Sequence, residues 1–219
     1  MSQCLLWLGL TLLGVLQTQV HGSGSDLIPL PPLDLVPVQA EFREDLFQGK
    51  WYIIALAGNA VQKKLGSINM FTTTYHLTEG HSYNVTNTLI RDNQTCSYWT
   101  RAFVPVSQPA EFTMGNIENF PHIKNYLMRV TATDYNHFAI MFFKKTAKMQ
   151  NKETDYFKTS LYGRTKDLPV KLKERFIQFA NMLGLTNDHV LYPVPTGAFC
   201  LSIPSFLMPP PMLPPAAHF

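Results

Sequence analysis

Between Trp51 and Thr165 the sequence divides into eight short β-rich runs that are separated by turn residues such as Glu79-Gly80. Evenly spaced short strands are typical of antiparallel sandwiches and barrels, and eight strands close a barrel around space for one small ligand. We therefore predict an all-β fold that is an eight-stranded antiparallel up-and-down barrel. The predicted strands are Trp51–Ala57, Met70–Thr78, Ser82–Ile90, Thr95–Val104, Glu111–Ile117, Lys124–Thr133, His137–Lys145 and Tyr156–Gly163.

One amphipathic helix follows the last predicted strand. Pro169 suits the first turn of a helix, and Gly184 is a natural stop. Apolar residues between them are spaced by four, three and four positions, which places them on one face. They are Leu172, Phe176, Phe179 and Leu183. We expect this C-terminal helix to pack that face against the outside of the barrel.

The composition supports one buried core and argues against a nucleic-acid partner. The chain has 219 residues with 46% hydrophobic content, and its net charge is only +3 without a run of basic residues. The apolar stretch from Cys4 to Leu16 is shorter than the roughly 20 residues that a membrane-spanning helix needs. We interpret residues 1–20 as a secretory signal peptide, residues 21–200 as one domain, and the proline-rich residues 201–219 as a disordered tail.

The cysteines and sequons agree with secretion. Removal of the signal peptide takes Cys4 away, which leaves Cys96 and Cys200 as the candidate disulfide pair in an oxidising compartment. No thiol then remains for an interchain bond, so we expect a monomer. Asn84 and Asn93 each begin a sequon and are predicted glycosylation sites.

Three of the predicted strands combine aromatic residues with a cation on one face, because alternate residues of a strand point the same way. These faces hold Trp99, Arg101 and Phe103; Met141, Phe143 and Lys145; and Tyr156, Lys158, Ser160 and Tyr162. A centred loop between the last two strands would pair Lys145 with Lys158, Phe143 with Ser160 and Met141 with Tyr162. On an exterior face water would screen the two lysines, whereas on an interior face they would be costly without an anion. The residues alone leave both interpretations open.

Three motifs resemble the conserved regions of the lipocalin family in their usual order. They are Gly49-Lys50-Trp51-Tyr52, Thr133-Asp134-Tyr135 and Gly163-Arg164-Thr165. The resemblance implies a lipocalin barrel in which Trp51 and Arg164 meet at the closed end. We assign Gly49, Trp51 and Arg164 to the integrity of the fold.

Longer stretches, including Phe142–Lys145 and Leu161–Lys166, resemble the siderophore-binding members of that family. The resemblance implies that Arg101, Lys145 and Lys158 bind the ligand, and that other residues line the same calyx. The lining residues are Trp99, Tyr75, Phe143, Ser160 and Tyr162. Iron would be held by the siderophore, so no protein metal site and no cofactor are expected. The loop before Lys158 is several residues longer than in those relatives.

The resemblance implies a secreted protein that binds ferric catecholate siderophores, withholds iron from bacteria in innate immunity and carries iron to cells through a surface receptor. The alternative is an extracellular carrier of a retinoid, fatty acid or odorant, for which an apolar calyx would be expected. An enzyme is a third class, since one branch of the family isomerises a prostaglandin with a cysteine thiol. Pairing of Cys96 with Cys200 would leave no such nucleophile, so we expect no enzymatic activity.

Overall fold

The computed structural model describes residues 28–61, 69–90, 95–149, 152–195 and 200. Within them, nine strands form one antiparallel sheet in the order β2-β3-β4-β5-β6-β7-β8-β1-β9, and β2 also pairs with β1. The predicted eight-stranded barrel is therefore confirmed, with a ninth short strand at its side. The strands are β1 Gly49–Ala57, β2 Thr72–Leu77, β3 Tyr83–Ile90, β4 Cys96–Pro105, β5 Glu111–Met114, β6 Ile123–Thr133, β7 Phe138–Met149, β8 Lys152–Gly163 and β9 Val190–Leu191.

Strand β1 closes the barrel because it pairs with a different neighbour along each half. Its first half, Gly49 to Tyr52, pairs with β2, and the stretch from Tyr52 to Ala57 pairs with β8. The partner changes at Tyr52, and the register of the β8 pairing shifts just beyond it, between Ile53 and Ala55. Strand β9 then pairs with the end of β1 through Leu56 and Ala57. The pairing of β2 with β1 closes the barrel, and the two-residue strand β9 is left as a short edge.

Alternation along the strands separates an inner from an outer apolar cluster. The inner cluster fills the barrel and includes Trp51, Tyr75, Phe103, Met141 and Phe143. The outer cluster lies under the C-terminal helix, α2, which spans Val170–Met182.

Helix α2 packs against the outside of the barrel, as its apolar spacing predicts. Phe176 is fully buried with Phe142 and Phe157 of β7 and β8 in the outer cluster. Pro169 precedes the first helical residue, and Gly184 adopts a φ of +80° just after the helix, in the region that glycine tolerates best. The described residues include no helix that is long and apolar enough to span a membrane.

Several short elements were not predicted, and three strand ends differ from the prediction by three or more residues: the end of β5, the end of β7 and the start of β8. The fifth strand ends at Met114 and not at Ile117, because Asn116 adopts a left-handed φ of 52° and a 3-10 helix, Ile117–Asn119, begins there. A four-residue helix, α1 (Glu44–Phe47), and the two-residue strand β9 were missed. Elements of this length contain too few residues to show a period in sequence.

The closed end of the barrel is built around Trp51 and Arg164. The indole of Trp51 is fully buried, and its Nε1–H donates to the carbonyl of Phe47 at 2.9 Å. The guanidinium carbon of Arg164 lies 3.6 Å from the centroid of the indole. Gly49 has a φ of +96°, and a Cβ there would lie 3.2 Å from Nη1 of Arg164. The three residues assigned to fold integrity are thus in contact.

Arg164 also connects four separate carbonyl groups. Its guanidinium donates to the carbonyls of Tyr135, Lys50, Leu46 and Gln48 at distances between 2.9 and 3.0 Å. A planar fork with five donors can reach all of these acceptors at once, whereas a lysine ammonium cannot.

We expect Arg164→Lys to lower the free energy of unfolding by about 2 kcal/mol, because several carbonyls lose their donor and the indole loses a flat cation. Urea denaturation monitored by circular dichroism would measure the change. Arg43→Lys is the matched control, since Arg43 is an exposed arginine at the same end with an ion pair to Asp45. A loss at Arg164 no larger than at Arg43 would contradict the structural role.

Cys96, the first residue of β4, forms a disulfide with Cys200. Their Cα atoms are 5.9 Å apart, and 104 residues separate them in sequence. The bond therefore attaches Cys200, which follows α2 and β9 in the chain, to the start of β4. The predicted signal peptide and proline-rich tail lie outside the described residues.

Candidate functional site

Three cations point toward the barrel interior from three different strands. Arg101 lies on β4, two residues from the inner-cluster residue Phe103, and Lys145 lies on β7, two residues from Phe143. Lys158 lies on β8, on the face that it shares with Tyr162. Arg101 is 9% exposed and Lys158 is 7% exposed, while Lys145 is half-buried. The sequence left open whether these cations face the exterior or the interior of the barrel, and in the structure they face the interior.

An aromatic ring lies beside each of the three cations. The guanidinium carbon of Arg101 lies 5.4 Å from the centroid of the Tyr126 ring, and this ring lies 6.3 Å from that of Phe143. The ammonium of Lys158 lies 4.9 Å from the centroid of Phe143. The ammonium of Lys145 lies 5.5 Å from the ring of Tyr156, a neighbour in register on β8. Each cation thus gains a cation–π contact, which offsets part of its lost hydration.

Burial and mutual repulsion weaken the two lysines as bases. Burial, followed by the positive charges of Arg101 and Lys145, lowers the pKa of Lys158 from 10.5 to about 7. Burial and then the charge of Arg101 lower the pKa of Lys145 to about 8. Both shifts show that the site disfavours its own positive charges. A negative ligand among them would raise both pKa values again.

Trp99 lies nearer the open end of the same inner face. It is two residues before Arg101 on β4, pairs with Asn87 of β3 and is half-buried. Its ring centroid lies 6.3 Å from that of Phe71. A ligand held near Arg101 would therefore come close to an indole.

Below the cations the interior contains buried hydroxyl groups. Tyr75 donates to the sulfur of Met141 at 3.3 Å, and burial raises the pKa of Tyr75. Burial also raises the pKa of Tyr162 to about 12, although hydrogen bonding with Thr73 and Tyr75 opposes it. The hydroxyl of Ser160 is fully buried and has no hydrogen-bond partner among the described residues. The floor of the barrel thus combines apolar surface with hydroxyl groups.

The predicted pairing between β7 and β8 was wrong by two residues. Lys145 pairs with Tyr156 and not with Lys158, Phe143 pairs with Lys158 and not with Ser160, and Met141 pairs with Ser160 and not with Tyr162. Both strands continue to the pair Met149↔Lys152, and this last pair fixes the position of the turn. The turn is therefore centred one residue earlier than assumed, and moving a hairpin centre by one residue shifts every pair by two.

This register also shows what structure the long connection between Lys145 and Lys158 adopts. The residues on both sides of the turn extend the ladder from Thr146↔Asp155 to Met149↔Lys152 and do not form an irregular loop. The shift of two residues keeps each side chain on its original face. Lys145 and Lys158 consequently remain on the inner wall, displaced along it and not directly opposite each other.

A fourth buried cation, Arg129, lies outside this site and stabilises the fold. Its guanidinium makes an ion pair with Glu111, its register partner on the neighbouring strand, and donates to the carbonyls of Leu33 and Val36 at 2.8 and 2.7 Å. It thereby holds the segment before α1 against the outside of the barrel. No group of three or more histidine, cysteine or acidic residues in the described ranges is arranged to bind a metal ion.

The first predicted glycosylation site is accessible. Asn84 is exposed on β3, on the face opposite the buried side chains of Tyr83 and Val85. A glycan there would extend into solvent without contact with the barrel interior. Asn93 lies outside the described residues, so its glycosylation remains a prediction from sequence.

A family model described as "Lipocalin / cytosolic fatty-acid binding protein family" matches residues 48–197, which cover every strand of the barrel. The chain is a lipocalin. Neutrophil gelatinase-associated lipocalin from Mus musculus is 52% identical over 198 residues, which are 90% of this chain and 97% of that protein. The Homo sapiens protein of the same name is 53% identical over 87% of this chain and 94% of its own length.

The fold of this lipocalin is similar to a solved structure as well. The solution NMR structure of lipocalin 12 from rat epididymis superposes with a TM-score of 0.65 at 26% identity. The alignment covers 77% of this chain and 93% of that chain. The barrel and its family are therefore shown by sequence and by structure.

Sequence reasoning missed three residues of the site in this lipocalin. Tyr126 was not proposed, although it lies two residues before Met128 on the inward face of β6. Alternation along the predicted strand Lys124–Thr133 contained this signal. Tyr156 was placed on the correct face but not in the ligand set. Phe71 lay inside the predicted strand Met70–Thr78, where alternation places it on the same face as Tyr75, but it was not proposed.

The buried charge of Lys158 is expected to cost stability, so Lys158→Met should stabilise the unliganded protein. Between pH 7 and 10 the unfolded chain holds a proton on Lys158 that the folded chain has released, so stability rises with pH through this range. The gain from Lys158→Met should be on the order of 1–3 kcal/mol at pH 6.5 and should shrink toward pH 9.5. Urea denaturation of both proteins at several pH values measures it. A gain that grows with pH would contradict the burial of a charged lysine.

Proposed function

We propose that this lipocalin binds ferric catecholate siderophores among Arg101, Lys145 and Lys158. The observation that supports the proposal is the set of three inward cations, each beside an aromatic ring. The resemblance of the sequence to siderophore-binding lipocalins supports the same ligand class. The tyrosine, phenylalanine and tryptophan rings beside the cations suit flat catechol rings.

The charges of ligand and site are complementary. Trivalent iron with three doubly negative catecholates carries a net charge of minus three, and three protonated side chains match it. The lowered pKa values of Lys145 and Lys158 mean that the empty site is electrostatically unfavourable. Binding of a trianion removes that repulsion and adds attraction inside a region of low dielectric. Because the chelator supplies all the iron ligands, the protein needs no metal-binding side chains of its own.

The proposed role is extracellular. The expected signal peptide, the Cys96–Cys200 disulfide and the exposed sequon at Asn84 suit a secreted monomer that removes ferric siderophores from bacteria as part of innate defence. Delivery of the iron to cells would then require a surface receptor. The proposed activity is binding and not catalysis, since Cys96 and Cys200 are joined and neither can serve as a thiol nucleophile.

The second candidate is carriage of a retinoid, fatty acid or odorant, and the apolar inner cluster around Tyr75, Met141 and Phe143 favours it. A hydrocarbon ligand would have to pass three cations and leave them without a negative partner. A fatty acid fits better than a retinoid, since its carboxylate supplies one negative charge.

Titration of tryptophan fluorescence with a ferric tricatecholate, retinol and oleate separates the two functions. The ferric complex absorbs light, so binding near Trp99 should quench emission, and the quench should be lost in Trp99→Phe while binding measured by calorimetry persists. We expect a submicromolar Kd for the ferric complex and binding at least about 100-fold weaker for retinol. Tight retinol binding without any binding of the ferric complex would establish the carrier function instead.

A further inference from the structure

Lys158 is held rigidly from the outside of the barrel by the segment that follows β1. The backbone N–H of Phe157 donates to Oδ1 of Asn59 at 2.7 Å, and the N–H of Ala60 donates to the carbonyl of Phe157 at 3.2 Å. Gly58 has a φ of +141°, and a Cβ there would lie 2.7 Å from the Cα of Lys158. The backbone that carries the lysine therefore has little freedom to move.

On the inside, the amine of Lys158 is enclosed by an aromatic ring and by other cations. It lies 4.9 Å from the centroid of Phe143 and belongs to a residue that is 7% exposed. Its neighbours Arg101 and Lys145 are positively charged. A desolvated lysine beside another cation is the arrangement that converts an ammonium into a nucleophilic amine.

We propose that Lys158 is a nucleophilic amine that captures small aldehydes bearing a negative group as imines, while Arg101 and Lys145 bind the negative group. The suitable ligands are aldehydes that carry a carboxylate, sulfonate or phosphate on a short or aromatic skeleton. Phe143 and Tyr126 provide flat apolar surface for that skeleton.

The chemistry needs no further reagent. The nitrogen lone pair of Lys158 attacks the carbonyl carbon, a C–N bond forms, and one N–H proton moves to the carbonyl oxygen to give the carbinolamine. The carbinolamine then loses its hydroxyl group together with the second N–H proton as water, which leaves the imine. At pH 7 roughly half of this amine is neutral, against fewer than about one in a thousand for an ordinary lysine. In the described part of the chain, the charges of Arg101 on β4 and Lys145 on β7 act on it; Tyr126 of β6 lies beside Arg101 and Tyr156 of β8 beside Lys145.

The inference is independent of the proposed siderophore function, and reductive labelling tests it. The full-length secreted protein is incubated at pH 7.4 with 4-formylbenzoate and cyanoborohydride, and the modified lysines are located and timed by peptide mass spectrometry. We expect Lys158 to be labelled at least about tenfold faster than the exposed lysines Lys152 and Lys171, because its neutral fraction is far larger. Methyl 4-formylbenzoate, which lacks the negative charge, serves as the matched probe.

Two comparisons determine the outcome. Arg101→Met removes a charge that lowers the pKa of Lys158, so it should slow labelling by both probes. Labelling by 4-formylbenzoate should slow at least several-fold more than labelling by the methyl ester, since only the anionic probe also loses a cation that binds it. Labelling of Lys158 no faster than Lys152, or equal rates with both probes, would overturn the proposal. Binding of a ferric tricatecholate, measured separately by calorimetry, would be unaffected by such a failure, so the two proposals are distinguished.

Discussion

Each of the single substitutions Arg101→Met and Lys158→Met should weaken binding of a ferric tricatecholate by about 100-fold. A unit charge a few ångströms from the chelate at an effective dielectric constant near 20 contributes about 2–3 kcal/mol. Methionine keeps much of the side-chain length and apolar surface, so the loss reports charge. Isothermal titration calorimetry at fixed ionic strength gives the change directly.

The chain offers a matched control for these variants. Lys144 is adjacent to Lys145 on β7 but faces outward, where its ammonium lies 3.7 Å from a carboxylate oxygen of Asp155. Lys144→Met removes the same unit charge from the same strand and should change the affinity by less than about twofold, because water and salt screen it. Equal losses at Lys144 and Lys158 would mean that net charge, and not the inward arrangement, governs binding.

Lys158→Met should affect stability and binding in opposite directions. The same substitution that weakens chelate binding should stabilise the unliganded barrel, since it removes a buried charge beside Arg101 and Lys145. A residue that served only to hold the fold together would lower stability when replaced. The opposite signs therefore distinguish a ligand-binding lysine from a structural one.

Removal of the disulfide is the second large effect. Cys96→Ser together with Cys200→Ser should lower the free energy of unfolding by about 4 kcal/mol, because the bond closes a loop of about 100 residues in the unfolded chain. Guanidinium denaturation of the oxidised protein and the double variant would measure it.

A stability loss below about 1 kcal/mol in the double variant would contradict this account of the bond. Affinity for a ferric tricatecholate tests separately whether the bond also positions the site, because Cys96 begins the strand that carries Trp99 and Arg101. We expect the folded double variant to keep its affinity within a few-fold, since the pairing of β3 with β4 orients Arg101.

The barrel was predictable because its signals are local. Short β-rich runs, the Gly49–Tyr52 motif and the spacing from Leu172 to Leu183 each depend on neighbouring residues and a fixed period. The faces of Arg101, Lys145 and Lys158 followed from alternation alone. The register of β7 against β8 did not, because it depends on where the turn lies, and no residue pattern separated a centred loop from a hairpin turning one residue earlier.

The sequence also could not predict that the cations of the site lie close to one another. Arg101 and Lys158 are brought together by closure of the sheet, in which β4 and β8 are separated by three other strands. The contact of Arg101 with Tyr126 joins strands that are not neighbours in the sheet, so no pairing rule predicts it. The connection of Gly58 and Asn59 to Phe157 likewise depends on irregular backbone that has no period.

The central claim is that three inward cations are matched to a trianionic chelate, and the charge of the ligand can be varied at constant shape. Gallium(III) and iron(III) tricatecholates both carry minus three, whereas the germanium(IV) complex of the same chelator carries minus two. Calorimetric titration of the native protein should give equal affinities for gallium and iron and at least about tenfold weaker binding of germanium. Equal affinity for all three complexes would contradict the claim.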